Sequence, residues 1–283
     1  MSQTSHGGAV SAGASAPVRQ ARVTSVWVQK ACVWCGPLMA LLFFLGFVIA
    51  GFIPPPSPHK SPEQIAAFYA HNETSIRIGL ILCLGSAGLL MPYFGVITMQ
   101  MKRMEGVRPT LAYVQLALGA LSTVEFVYPY VIMEVAAFRP DRNPAIVQTL
   151  NDIGWFMFLG VVSTFIVQLI CIGIAVLMDK REHPIFPRWV GWLNIWMAFL
   201  FSPASFLVFF KTGPVAWNGA FVWWIPLSAF LLWFPANTYY LLKAIDEDDG
   251  LPTDSTERLA VELAELRAES ALLREALLHP AAK

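Results

Sequence analysis

Residues 153–178 read IGWFMFLGVVSTFIVQLICIGIAVLM, a run with no Asp, Glu, Lys or Arg, closed by Asp152 on one side and Asp179 on the other. About 20 apolar residues in helical conformation cross roughly 30 Å of hydrocarbon, at about 1.5 Å per residue. This run is long enough to do so. A water-exposed helix of the same length would carry charge along one face, and this one carries none. A transmembrane helix is the reading, and the rest of the chain repeats it.

Runs of the same kind occur at 31–53, 78–99, 111–138, 189–210 and 220–242, and of all six only 111–138 contains a charged residue. Charges stand at the borders instead, at Lys30, Arg77, Arg188, Lys211 and Lys243. The whole chain is 56% hydrophobic and 13% charged, where a soluble domain is about a quarter charged. Its 19 basic and 19 acidic residues cancel, so there is neither a basic field for nucleic acid nor an acidic bulk to solvate a disordered chain. The expected fold is all-α: a polytopic bundle of six transmembrane helices over 31–243, followed by an acidic linker at 244–253 and a cytoplasmic coiled-coil helix at 254–279. The lipid bilayer is the first partner, and no nucleic acid is expected.

Residues 1–30 open with MSQTSHGGAVSAGASAP and hold Arg19, Arg22 and Lys30; they read as a disordered cytoplasmic N-terminus. The first apolar run is of membrane-spanning length and ends in GFIPPPSP at 51–58, so it reads as a retained helix rather than a cleaved signal. Basic residues fall mostly on one side: Lys102, Arg103, Arg108, Lys180, Arg181, Arg188 and Lys243 join the N-terminal three. The opposite loops hold Lys60, Arg77, Arg139, Arg142 and Lys211. The positive-inside rule then puts both termini in the cytoplasm, with Trp27, Trp34, Trp155, Trp189, Trp217 and Trp223 at the interfaces. In the first outer loop, Ser61, Pro62 and Gln64 have the spacing of a capped helix start. Ile65, Phe68 and Tyr69 follow at helical spacing, so that helix lies along the outer surface or over the bundle mouth and presents His71 and Asn72 outward.

The tail changes pattern. After AIDEDDGLPTD at 244–254, Leu259, Leu263, Leu266, Ser270, Leu273 and Leu277 alternate in steps of four and three, the a/d seam of a coiled coil. Glu262 and Glu269 take g positions, and Arg267 and Arg274 the following e positions, as in a parallel homo-oligomer. The other reading is one amphipathic helix lying on the membrane, but such helices carry a Lys/Arg-rich polar face and this one is net acidic.

Glu125 is the residue that asks for a function, because an ionisable group inside a span costs roughly 2.5 kcal/mol or more. Gln115, Gly119 and Ser122 recur with it at helical spacing, and polar or small stripes on the fourth span (Gly160, Thr164, Gln168, Cys171) and the fifth (Gly191, Asn194, Ala198, Ser202, Ser205) suggest one converging pocket. Glu125, Gln168, Asn194, Ser122 and Tyr128 are the expected ligand or proton site, opened by a kink at Pro129. The alternative is a Glu125 that only hydrogen-bonds a neighbouring helix. Glu134 and Arg77, with Lys211, Trp217 and Asn218 in the loop FKTGPVAWNG at 210–219, are the expected outer gate; alternatively Glu134 pairs with Arg139, Lys211 snorkels and Trp217 holds the interface.

Cys32 and Cys35 form a C-x-x-C, a redox pair or half a zinc site in other settings, but the only other cysteines are Cys83 and Cys171 in separate spans, so small apolar helix residues are the reading. No P-loop, G-x-G-x-x-G, G-x-S-x-G or H-E-x-x-H occurs. No cofactor or metal is expected, and a membrane-embedded enzyme acting on lipid ranks below the other readings, because no nucleophile–base pair or metal cluster is visible. The stretches PPPSP (54–58), EQIAAFYAHN (63–72) with Arg77, LNDIGW (150–155), FPRWVGWLNIW (186–196) and FKTGPVAWNG (210–219) resemble a family of bacterial polytopic inner-membrane proteins of about six spans, over residues 31–243. The resemblance implies a bacterial inner membrane and carries over no activity or catalytic residue. Two functions follow: a small-molecule transporter or permease-like protein of unknown ligand, or a membrane scaffold or sensor that oligomerises through its tail.

Overall fold

A computed structural model of the chain describes residues 15–248 together with Leu263, Leu266, Arg267 and Ser270. Nine α-helices account for most of the described residues, and no strand occurs among them: α1 (Ser15–Ile49), α2 (Pro62–His71), α3 (Glu73–Ala87), α4 (Leu90–Glu105), α5 (Thr110–Phe138), α6 (Pro144–Trp155), α7 (Ser163–Met178), α8 (Arg188–Phe201) and α9 (Ile225–Asp246). They assemble into six stretches long and apolar enough to cross a membrane: Val26–Ile49, Glu73–Glu105, Thr110–Phe138, Pro144–Met178, Arg188–Phe209 and Ala220–Asp246. The chain is thus compatible with a multi-pass membrane protein. Each span packs against the next, and α9 returns to α1, so the six close into a ring.

The helices outrun the apolar stretches that announced them. α1 starts at Ser15, inside the segment read as disordered, while residues 1–14 lie outside the described residues. The second span starts at Glu73, whose carboxylate pairs with Arg77 one turn on, and the fourth at Pro144, capped by the Asn143 side chain on the Ala145 N–H at 2.9 Å. Hydropathy marks the thickness of the apolar layer; a helix begins where its first N–H groups find acceptors. The second span breaks at Gly88–Leu89, just before Pro92, which lacks an N–H for a carbonyl one turn back. Tighter bonds fill the gap, from Leu89 to Ser86 and from Met91 to Gly88.

The capped helix between the first and second spans forms as its sequence suggests. Ser61 accepts from the Gln64 N–H at 3.3 Å, and Gln64 Oε1 accepts from the Ser61 N–H at 3.0 Å. Ile65 and Tyr69 are buried, and α2 rests on α6. The Tyr69 hydroxyl donates to Asn151 Oδ1 at 3.3 Å; burial, and next the Asp152 carboxylate, push this phenol above its usual range, so it stays a donor.

Three of the six tryptophans expected at the interfaces are core residues instead. Trp155, Trp217 and Trp223 are buried, while Trp27, Trp34 and Trp189 are exposed. Trp155 and Trp217 find acceptors inside, at Asn151 Oδ1 (3.1 Å) and Pro56 O (2.7 Å). A buried indole is tolerated when its N–H is satisfied, and composition alone does not show whether it will be.

α5 is held at both ends by the second span. Glu105 accepts from the N–H groups of Leu111 (2.8 Å) and Ala112 (2.7 Å). At the other end Arg77 donates to the carbonyls of Ala137 and Phe138, both at 3.0 Å. An anion thus meets the positive helix end and a cation the negative one. Glu105→Ala is expected to cost about 1–2 kcal/mol and Glu105→Gln less, read as thermal unfolding in detergent; equal melting temperatures for all three proteins would show the cap to be idle.

Candidate functional site

In one region three successive spans leave regular α-helix. The fourth makes a π-helical turn at Phe156–Gly160 and is non-helical at Val161 and Val162; the fifth passes into 3₁₀-helix at Ser202–Phe209; the sixth enters through a π-helical turn at Ala220–Trp224. The first of these segments packs on the second, and the second on the third. Irregular backbone at membrane depth survives only where protein buries it or where it lines a cavity. Here it lines a cleft of about 680 Å³, its open mouth included, walled also by Phe43 of α1 and by Glu125 and Phe126 of α5.

The lining is aromatic and aliphatic apart from two groups. Glu125 is half-buried, and its Oε1 accepts a short hydrogen bond from the Thr164 hydroxyl; among the described residues nothing bonds Oε2. Trp223 is buried against Phe47 and Trp155, and its indole N–H has no hydrogen-bond partner among the described residues. Phe126 lies stacked on Phe230 (6.1 Å, 23°) and edge-on to Phe158 (5.7 Å) and Phe43 (5.9 Å).

Of the residues expected to converge on one polar pocket, only Ser122 and Gln168 bond each other. Ser122 donates to Gln168 Oε1 at 3.3 Å, one turn from the Glu125–Thr164 pair, so the two bonds form successive rungs between α5 and α7. Asn194 accepts from Trp233 Nε1 at 2.9 Å and donates to Val190 O at 2.8 Å. Gln168 and Asn194 are fully buried and do not line the cleft. Tyr128 is 56% exposed and points away from it.

Arg77 holds the end of α5, and Glu134 lies within its influence with Oε1 buried and unpartnered among the described residues. Trp217 is plugged into the bundle against Phe156 and bonded to Pro56, pinning the 210–219 loop to the first outer loop. Lys211 is exposed and Asn218 half-buried; Lys211 is close enough to act on Asp152. Cys32 and Cys35 are free thiols on successive turns of α1, and Cys35 Sγ donates to Ala31 O.

Sequence reasoning missed Trp223, Asn151, Glu105 and the phenylalanines of the cleft. Glu105 alone left a signal: an acid just before a helix start, where anions belong.

No protein-family model, curated protein or solved structure matches the chain. Function has to be argued from the site.

Of the residues expected to form a coiled coil, Leu263, Leu266 and Arg267 are described, together with Ser270 of the expected seam; all are helical and exposed. Leu259, Glu262, Glu269, Leu273, Arg274 and Leu277 lie outside the described residues.

Proposed function

We propose that the chain is a small-molecule transporter or permease-like protein of a bacterial inner membrane, with both termini cytoplasmic, whose ligand occupies the cleft beside Glu125. The observation that carries this reading is the coincidence of an open cleft with three spans that lose regular helix around it. The fourth span breaks within its length and the fifth and sixth at their ends; discontinuous helices are where transporters build binding sites, because freed backbone groups and small rearrangements of half-helices become available there. The basic side of the bundle, where Lys30 meets Asp246 at 2.5 Å and Arg103 meets Asp248 at 3.5 Å, supports the cytoplasmic placement of that face.

A second reading, a scaffold or sensor that pairs chains through a parallel coiled coil, is favoured by the exposed Leu263 and Leu266 of the tail. Flux of a panel of hydrophobic and amphipathic fluorescent compounds into proteoliposomes separates the two. A transporter moves at least one compound, loses about tenfold of that flux in Glu125→Gln, the factor of one lost charge-assisted contact, and keeps most of it when residues 254–283 are removed. No flux of any compound above empty liposomes would sink the transport reading and leave the tail as the working part.

A further inference from the structure

We infer that the cleft binds a lipophilic organic cation, its charge set against Glu125 Oε2 and its apolar body among the aromatic rings. This rests on the reading of the cleft as a ligand site and names the chemical class it takes. Three observations carry it. The cleft is open on one side and walled by residues of α1, α5 and the fourth, fifth and sixth spans, a concave apolar site between helices of the kind that takes small molecules. Glu125 is the one charged residue of the lining; Thr164 occupies one oxygen and leaves the other to a guest. The remaining wall is rich in rings, with Phe43, Phe126, Phe158, Phe165, Phe230 and Trp223 all contributing.

The combination selects by charge and polarity together. A hydrated inorganic cation would exchange water for phenylalanine, which offers it no oxygen ligands, and the lining holds no second carboxylate. An anion would meet a carboxylate with no Lys, Arg or His in the lining to offset it. A neutral hydrocarbon would fill the space and leave both Glu125 Oε2 and the Trp223 N–H unsatisfied. A weakly hydrated cation spread over a large organic body is attracted by the carboxylate and by the faces of the surrounding rings, and gives up little water to enter. An acceptor atom on the same ligand would satisfy the orphan indole N–H of Trp223. Of the lining residues, Glu125, Phe201 and Leu227 are half-buried and Val161 is exposed, so the charge is not sealed inside the bundle.

Tetraphenylphosphonium and tetraphenylborate test this directly, since they share a shape and differ in the sign of their charge. Saturable binding of each to the detergent-purified full chain is measured against empty micelles, for wild type, the near-isosteric Glu125→Gln and Leu227→Trp, which adds bulk to the cleft from a half-buried lining position. Tetraphenylphosphonium is expected to bind saturably, to weaken about tenfold or more in Glu125→Gln and to be lost in Leu227→Trp, with no saturable tetraphenylborate binding. Equal binding of both ions, lost in Leu227→Trp, would overturn the cation assignment while leaving the cleft as a ligand site. Absence of binding by either ion, or tetraphenylphosphonium binding indifferent to Glu125→Gln, would overturn the assignment too, and the flux panel would decide separately whether the chain transports.

Discussion

Gly79→Val is expected to abolish monodisperse folded protein, and Gly79→Ala to lower its stability by about 1–3 kcal/mol. α1 and α3 cross with Gly46 against Gly79, and a Cβ at Gly79 would lie 2.3 Å from the Gly46 carbonyl oxygen and 2.8 Å from the Ala50 backbone nitrogen. Those are backbone atoms of a helix, so relief requires the two helices to part. Ala50 and Cys83 lie four residues beyond the two glycines, giving each helix the small-x-x-x-small spacing that brings backbones close. One turn before Gly46 stands Phe43, and one residue after it Phe47, which packs on Tyr130, Trp155, Phe158 and Trp223. Displacing α1 therefore unpacks the aromatic wall of the cleft as well as the helix pair. Gly85 lies on the same helix with open space where its Cβ would be, and Gly85→Ala is expected to be neutral or to gain a few tenths of a kcal/mol, up to about 1, from helix propensity. Size-exclusion profiles and melting temperatures of the three variants check the contrast; a monodisperse Gly79→Val melting with wild type would refute it.

The six spans could be read from the sequence because the signal is length of uninterrupted apolar run, which needs no knowledge of what packs on what. Where those spans break could not be read in the same way. Pro37, Pro129 and Pro235 sit inside continuous α-helices, whereas the fourth span breaks at Val161–Val162 with no proline nearby. A proline states that one hydrogen bond is missing, and neighbouring packing decides whether the helix yields. Of the breaks that shape the cleft, those of the fifth and sixth spans stand beside Pro203 and Pro226, and that of the fourth belongs to tertiary packing.

Glu125 was legible because a carboxylate in a span is costly wherever it points. Its surroundings differ from those of the neighbouring polar stripe for a geometric reason. Gln115, Gly119 and Ser122 are buried toward neighbouring helices, but a step of three residues falls about 60° short of a full turn. Glu125 therefore stands at the edge of their stripe, beside Phe126, and looks into an apolar cleft. The polar residues deeper in the stripe bond to neighbouring helices through their oxygens, Ser122 to Gln168 Oε1 and Thr98 to Gln115 Oε1, while the amide nitrogens of Gln115 and Gln168 have no hydrogen-bond partner among the described residues. The chain holds 20 phenylalanines, so composition offered no way to choose the few that face the cleft.

Asn151→Leu is expected to cost about 2–4 kcal/mol, because one fully buried oxygen serves two donors from different places in the chain. Leucine nearly preserves the volume and removes the acceptor, stranding the Tyr69 hydroxyl and the Trp155 indole N–H at about 1–3 kcal/mol each. Hydrogen bonds between membrane helices often measure less, since the unfolded chain in lipid finds other partners. Tyr69 is on α2, however, outside the spans, and its reference state is water. Tyr69→Phe removes one donor, so it should cost less in the Asn151→Leu background than in wild type. That non-additivity in melting free energy is the measurement; strict additivity would mean the pair is not coupled. The effect should also reach the cleft. Trp155 meets Trp223 edge to face with centroids 5.9 Å apart, and Trp223 is part of the cleft wall. Freed from Asn151, Trp155 loses the bond that fixes its ring, and Trp223 loses the edge it rests on. Tetraphenylphosphonium affinity should then fall in Asn151→Leu although residue 151 touches no part of the cleft, while an unchanged affinity would confine the role of Asn151 to seating α2.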